Sequence, residues 1–273
     1  MEYELVVRAA HPGLRRHLDR YWGYAQQTAQ PVRQREPLQT GAILIFGLGT
    51  ELRVIDRAGA APARRGSFVA GLDDACAVIE HDGELRGIQV DLTPLAVRML
   101  FREPMHAFAR TTVTLEDLLG REGLRLDERL GEARTWDERF ELVEQALATR
   151  LAAAEPPPAD VEWAWRRLTT SRGRVRVSDL AAELGCSRKH LAARFREHVG
   201  LPPKLVARML RFRHASDLLS SELPPPLAEL ARACGYYDQA HLDRDFRAFA
   251  STTPTAFLDD RVTFVQDTAS AAA

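Results

Sequence analysis

A chain of 273 residues, with 45% hydrophobic and 27% charged side chains, is long enough for about two domains and has the balance of a soluble globular protein. The formal net charge is −1, and three cysteines (Cys76, Cys186, Cys234), far apart and without CxxC spacing, argue against a disulfide frame or a zinc knuckle and fit a reducing, cytoplasmic setting. No apolar run approaches the roughly 18 residues of a membrane span, and "MEYELVVR" has no signal-peptide core, so no membrane is expected among the partners.

In chain order, "AILIF", "LRVID" and "SFVAGL" read as short strands. "ACAVIEHDGELRGIQVDL" holds two more around Asp82-Gly83, a pair that favours a tight hairpin turn. Thr93 is expected to cap a helix with Pro94 at its first position. Thr135 and Glu138 make a capping-box pattern for a helix over about 136–153, with Phe140, Val143, Leu147 and Leu151 on one stripe. "AAAEPPPAD" then breaks the pattern, because three prolines cannot continue a helix and stiffen a spacer. The expected organisation is a β-rich N-terminal domain over 1–154, a Pro-rich linker over 155–160, a helical domain over 161–260 and a tail over 261–273. In that tail "RVTFVQ" is the one strand-like run, and the last seven residues read as disordered.

No catalytic constellation stands out. His11, His17, His81 and His106 lack metal-ligand spacing and read as surface or packing residues. "GLG" lacks the third glycine of a dinucleotide fingerprint, Ser67 lacks a nucleophile elbow, and Asp73-Asp74 are expected to face solvent. The reading is a non-enzyme with neither metal nor cofactor.

Charge is uneven in the second half. Residues 166–213 hold thirteen Lys/Arg and three acidic residues, a net of +10, whereas 214–261 carry a net of −4. A basic block of that density is an electrostatic footprint for a polyanion. A repeat overlies it. Leu180-Ala181 matches Leu230-Ala231, Gly185 matches Gly235, Leu191 matches Leu242, Phe195 matches Phe246, and Pro203 matches Pro254. This is a tandem pair of helix-turn-helix units. Ser178 and Ser187 are expected to cap the two helices of the first unit, and Gly185 to permit its turn. "PKLVARMLRFRHASDLLS" should form a connecting helix of about 17 residues, roughly 25 Å long. Such a helix suits two recognition helices placed in successive major-groove segments.

Setting Leu191, Phe195 and Val199 inward leaves Lys189, His190, Ala193 and Arg196 on the outer face, with Ser187 and Arg188 at the helix start and Arg194 beside it. In the second unit Leu242, Phe246 and Phe249 turn inward. Ala240, His241, Arg244 and Arg247 turn outward, and Asp238 and Gln239 open the helix. Basic side chains reach phosphate, Arg can read guanine, and small residues let a helix approach bases. Asp238, Asp243 and Asp245 are expected to weaken non-specific binding by the second unit. Before these units, Val161, Ala164, Trp165 and Leu168 form an inward stripe, and Trp163, off it, is a candidate for docking on the N-terminal domain.

The run from Leu180 to Phe257, with Gly235-Tyr236, His241, Arg244, Phe246, Pro254 and Phe257 at their mutual spacing, resembles the DNA-binding domain of AraC/XylS-type transcription regulators over about 161–258. Ser251 stands where that family usually has glycine, and Leu242 where it usually has phenylalanine. "GIQVDLTPLAVRMLF" and "VTLEDLLG" look like the N-terminal cupin-like domain of a mostly actinobacterial subgroup. The implied fold class is α+β: a β-rich, cupin-like barrel domain with helices, then an all-α tandem helix-turn-helix domain. The resemblance implies double-stranded promoter DNA as partner, contact with RNA polymerase, a small-molecule effector and a homodimer. Two alternatives stay open: a non-DNA-binding adaptor, and a DNA-repair enzyme built like the alkyl-transfer proteins that join this unit to reactive cysteines. For the latter Cys76, in an apolar strand pattern, would be the nucleophile.

Overall fold

Strand β9 (Glu84–Leu92) shows why the N-terminal half folds as it does. Its side chains alternate: Ile88, Val90 and Leu92 enter a core shared with helices, while Leu85 and Gln89 line a cavity on the opposite face. Leu85, Ile88, Val90 and Leu92 give the segment its strand pattern, although Glu84, Arg86, Gln89 and Asp91 stand between them. The computed structural model describes residues 2–55 and 63–259. Within them β1 (Glu2–Ala9), β2 (Leu18–Gln27), β9, β4 (Ala42–Gly47), β7 (Phe68–Ala70) and β10 (Thr112–Thr114) make a six-stranded sheet in that order. A four-stranded sheet follows the order β3 (Val32–Arg35), β8 (Val78–His81), β5 (Leu52–Ile55), β6 (Ala63–Arg65). All pairings are antiparallel. Tyr24, Ile45, Leu52, Phe68 and Leu85 pack between the two sheets.

The outer face of the larger sheet is covered by α1 (Pro94–Phe101), α2 (Leu115–Leu119), α3 (Arg121–Glu132) and α4 (Trp136–Ala152). Thr93 caps α1 through Ala96 N, and the Thr135–Glu138 capping box opens α4 as its sequence dictates. Phe140, Val143, Leu147 and Leu151 are all buried. Gly23 in β2 is required by this packing, since a Cβ there would lie 2.6 Å from the Trp136 ring.

The C-terminal half is helical among the described residues: α5 (Ala159–Thr170), α6 (Val177–Glu183), α7 (Arg188–His198), α8 (Pro203–Leu219), α9 (Leu227–Ala233), α10 (Gln239–Ala250) and α11 (Pro254–Asp259). The duplicated positions share one core: Leu180, Leu191, Phe195, Leu230, Leu242 and Phe246 are each at most 1% exposed. Gly185 and Gly235 adopt φ of +63° and +76° in the corresponding turns, a region open to glycine without a Cβ penalty. Leu38, Leu72 and Leu95 of the N-terminal half complete this core.

Several expectations need correction. Ser178 does not cap α6: the helix starts at Val177 after an extended Arg176, and the Ser178 hydroxyl, already inside the first turn, donates to Asp179. Asp73 and Asp74 do not simply face solvent, because Asp74 pairs with Arg110 at 2.7 Å and Asp73 accepts from Ala75 N. Cys76 lies in the loop before β8 rather than in a strand. "RVTFVQ" and the final seven residues lie outside the described residues.

Ser251 ends α10 in the left-handed conformation, φ 56° and ψ 27°. This geometry accounts for the glycine usual in the resembling family at this position. Ser251→Gly is expected to raise stability by about 1 kcal/mol, the left-handed penalty less the added freedom of the unfolded chain. Urea unfolding of the two proteins measures it, and an unchanged or lower midpoint would contradict the strain.

Candidate nucleic-acid interface and interdomain cavity

Helix α7 presents Ser187, Arg188, Lys189, His190, Ala193 and Arg196 to solvent while Leu191, Phe195 and Val199 are buried. Ser187 caps it by accepting from His190 N at 3.1 Å. Arg188, Lys189 and Arg196 make no ion pair among the described residues, so their charge is free to meet an anion. Arg194 differs: its guanidinium pairs with Asp160 of α5 at 2.8 Å and ties α7 to the bundle.

Helix α10 repeats the arrangement with a different charge pattern. Asp238, Gln239, Ala240, Arg244 and Arg247 are exposed. Asp238 is the N-cap, accepting from His241 N at 2.7 Å, which fixes its carboxylate at the helix start. His241 is half-buried, edge-on to Tyr236 at 5.2 Å, so it packs as well as faces outward. Asp245 is only 1% exposed and is bound by Arg208 of α8 at 2.7 and 3.1 Å. It therefore does not stand among the outward residues, and the acidity expected around Gln239 and Arg244 reduces to Asp238 and the half-buried Asp243. Burial, followed by the Asp245 charge, pushes the Tyr236 hydroxyl upward. The Arg208 guanidinium also lies 4.9 Å from the Phe249 ring centroid. The second unit is thus fastened to the connecting helix by an ion pair and aromatic packing together.

The two halves meet through the backs of these helices. Arg98 of α1 pairs with Glu197 of α7 at 3.2 Å. The loop before β8 and the end of β3 cap the C-terminus of α10: Cys76 N donates to Phe249 O at 2.9 Å, and Arg35 Nη1 to Ala250 O at 2.7 Å. These two carbonyls have no partner within the helix, and the guanidinium complements the negative end of its dipole. Trp163 is half-buried against the core to which both halves contribute, with the Arg167 guanidinium of its own helix 5.7 Å from the ring.

Against that cap lies a cavity of about 410 Å³ between the two sheets, closed at one end by Phe249, Ala250 and Ser251. Its walls are largely apolar and aromatic, with Gln26, Gln34, Glu36 and Gln39 as polar interruptions. None of these was singled out from sequence. The available signal was a glutamine in register with Trp22 and Tyr24 on β2, a polar residue on a face otherwise aromatic. Cys76 also lines the cavity, and burial pushes its thiol up to about 11, the opposite of what a nucleophilic thiolate requires. The histidines play structural parts: His11 accepts from Gly13 N, and His17 and His81 are buried. Among the described residues no group of three or more His, Cys, Asp or Glu is placed to hold a metal ion, and no helix is long and apolar enough to cross a membrane.

Residues 180–260 match a family described as a helix-turn-helix domain, and residues 7–114 match a domain of unknown function, DUF6597. No curated protein matches the chain in sequence. Among solved structures, a variant of apo ToxT from Vibrio cholerae is 9% identical, with 92% of this chain and 99% of that one covered and a TM-score of 0.50, a likeness of fold. The C-terminal domain of AraT, a response regulator from Geobacillus stearothermophilus, is 22% identical over 39% of this chain and 89% of its own, with a TM-score of 0.36. The duplicated units, the spacing from Gly235 to Phe257 and the match over 180–260 agree: the chain carries an AraC-type helix-turn-helix domain in its C-terminal half and a DUF6597 domain in its N-terminal half.

Proposed function

We propose that this protein is an effector-responsive transcription regulator that docks α7 and α10 in successive major-groove segments of a promoter. Residues 161–260 bind DNA, and residues 1–154 sense a small molecule. The observation that carries the reading is the paired exposure of Arg188, Lys189, Ala193 and Arg196 on α7 and of Gln239, Ala240, Arg244 and Arg247 on α10, over inner faces that are fully packed. Helix α8, at 17 residues, spaces the units within one chain. A helix of this length spans about 25 Å, which suits two helices in adjacent groove segments of one duplex.

The sensing role rests on continuity between the cavity and α10. Phe249, Ala250 and Ser251 form cavity wall and helix end at once, and Arg35 is both a lining residue and the cap of Ala250 O. A ligand that moves Arg35 or Phe249 alters the support of the second recognition helix. Contact with RNA polymerase and a homodimer remain part of this proposal by family resemblance alone.

Genome-wide mapping of sites bound by the full chain, followed by salt-dependent shift assays on those fragments, tests the reading. Discrete promoter sites with a steep salt dependence are expected. Binding to no DNA fragment would favour the adaptor, and alkyl transfer to Cys76 on incubation with alkylated DNA would favour the repair enzyme.

A further inference from the structure

We infer that the cavity takes an apolar, amine-bearing ligand, with its ammonium held at Glu36 and Gln26 and a hydrogen-bond acceptor elsewhere on the molecule facing Gln39. This rests on the sensing role just proposed for the cavity and names the chemistry that would fill it.

The polar groups in the wall set the charge. Glu36 follows β3 and lies deep in the domain, yet part of its surface is accessible, so that surface faces the cavity. Its Oε1 accepts from Gln34 Nε2 at 2.8 Å, and Oε2 has no hydrogen-bond partner among the described residues. Among the described residues no cation pairs with it. Arg35, its neighbour in sequence, lines the cavity with its Nη1 on Ala250 O rather than on Glu36, and Arg110, the other lining arginine, is held bidentately by Asp74. Burial accordingly pushes the Glu36 carboxyl above the usual carboxylate range, only partly offset by the Gln34 amide. A carboxylate ligand brought to Glu36 would meet a second acid. An ammonium supplies the missing counter-charge.

The neutral groups agree. Gln26 Oε1 is buried without a partner and needs a donor, while Gln39 Nε2 is buried without one and needs an acceptor. An ammonium has three donors, enough for both Glu36 and Gln26. Tyr3, Trp22, Tyr24 and Phe68 supply ring surface, and Ile43, Ile45 and Leu85 aliphatic surface, for the apolar body. A cation beside aromatic rings gains further from their quadrupoles. The volume suits a ligand of one or two fused rings rather than a polymer end.

Three probes with one skeleton separate the possibilities: naphthylmethylamine, naphthylmethanol and naphthoate, titrated into the full chain by calorimetry. The amine is expected to bind at least about tenfold more tightly than the carboxylate, the worth of one charge-assisted hydrogen bond. Glu36→Gln, nearly isosteric and checked for an unchanged melting transition, is expected to weaken the amine about tenfold and leave the alcohol within about twofold. Equal binding of all three probes, or an amine indifferent to Glu36→Gln, overturns the amine assignment and leaves the cavity a sensor of other chemistry. Failure of every probe to bind overturns the assignment and counts against the sensing role as well.

Discussion

Asp245→Ala is expected to destabilise the C-terminal half by about 2–3 kcal/mol and to impair one half of the DNA site more than the other. Asp245 is buried in α10, and both its hydrogen bonds to Arg208 are made by one oxygen, Oδ1. Removing one partner of such a pair leaves a charge without compensation in a partly dry site. Arg208 keeps about a third of its side chain in water, 34%, which places the loss below that of a fully buried pair. The same side chain packs on Phe249, and Phe212 of α8 packs on Phe246 at 4.8 Å and Phe249 at 5.3 Å. Losing Asp245 therefore loosens the anchoring of α10 on α8, whereas α7 keeps its own tie, Arg194 to Asp160. Urea unfolding gives the stability change, and footprinting on a mapped site gives the asymmetry. Asp245→Asn, which keeps shape and one acceptor, should fall between the two proteins. Loss of protection spread evenly over both halves of the footprint would show that α10 does not depend on this pair for its placement.

The contrast between what was legible in the sequence and what was not follows the range of the interactions. Helix ends written by local chemistry are legible: Thr93 before Pro94, the Thr135–Glu138 box and Ser187 before α7; Asp238, expected to open α10, is its N-cap instead. Duplication fixed the helical half, because one pattern of Leu, Gly and Phe, met twice, specifies one core twice. Ser178 misled because a serine near a helix start is a cap only if the chain is extended at that residue, and here the extended residue is Arg176. Strands β1, β2 and β3 escaped because their alternation mixes aromatic, charged and glutamine side chains, and because β2 and β3 complete their pairing with β9 and β8, far along the chain. The candidate DNA face was legible as a list of outward residues, yet the roles of Arg194 and Asp245 were not. Each is defined by a partner more than thirty positions away, Asp160 and Arg208, and no local period reveals such a partner. The cavity was least legible, since Glu36, Gln26 and Gln39 acquire meaning only when two sheets and the end of α10 enclose them.

Lys189→Ala with Arg196→Ala is expected to flatten the salt dependence of DNA binding and to weaken binding to every sequence, whereas Arg244→Ala mainly relaxes preference over one half of the site. Lys189 and Arg196 are exposed on α7, within the +10 segment, and no ion pair among the described residues neutralises them. Each phosphate contact contributes about 0.9 to the slope of log affinity against log salt, so losing both lowers the slope by up to about 1.8. Arg244 is exposed on α10, in the segment of net −4. With Asp245 buried against Arg208, however, its acidic surroundings are milder than the sequence suggests. Its guanidinium is free to engage a base edge, and losing such a bidentate contact costs about 1–3 kcal/mol at one position, with little change in slope. His241 offers a useful contrast because it leans on Tyr236, so His241→Ala should lower stability as well as binding. Anisotropy titrations from low to moderate salt, on a mapped site and on scrambled duplexes, separate the two effects. A larger slope change for Arg244→Ala than for the α7 pair would reverse the assigned division of labour. Equal loss of preference across both halves of the site in either variant would remove the basis for separate recognition by the two units.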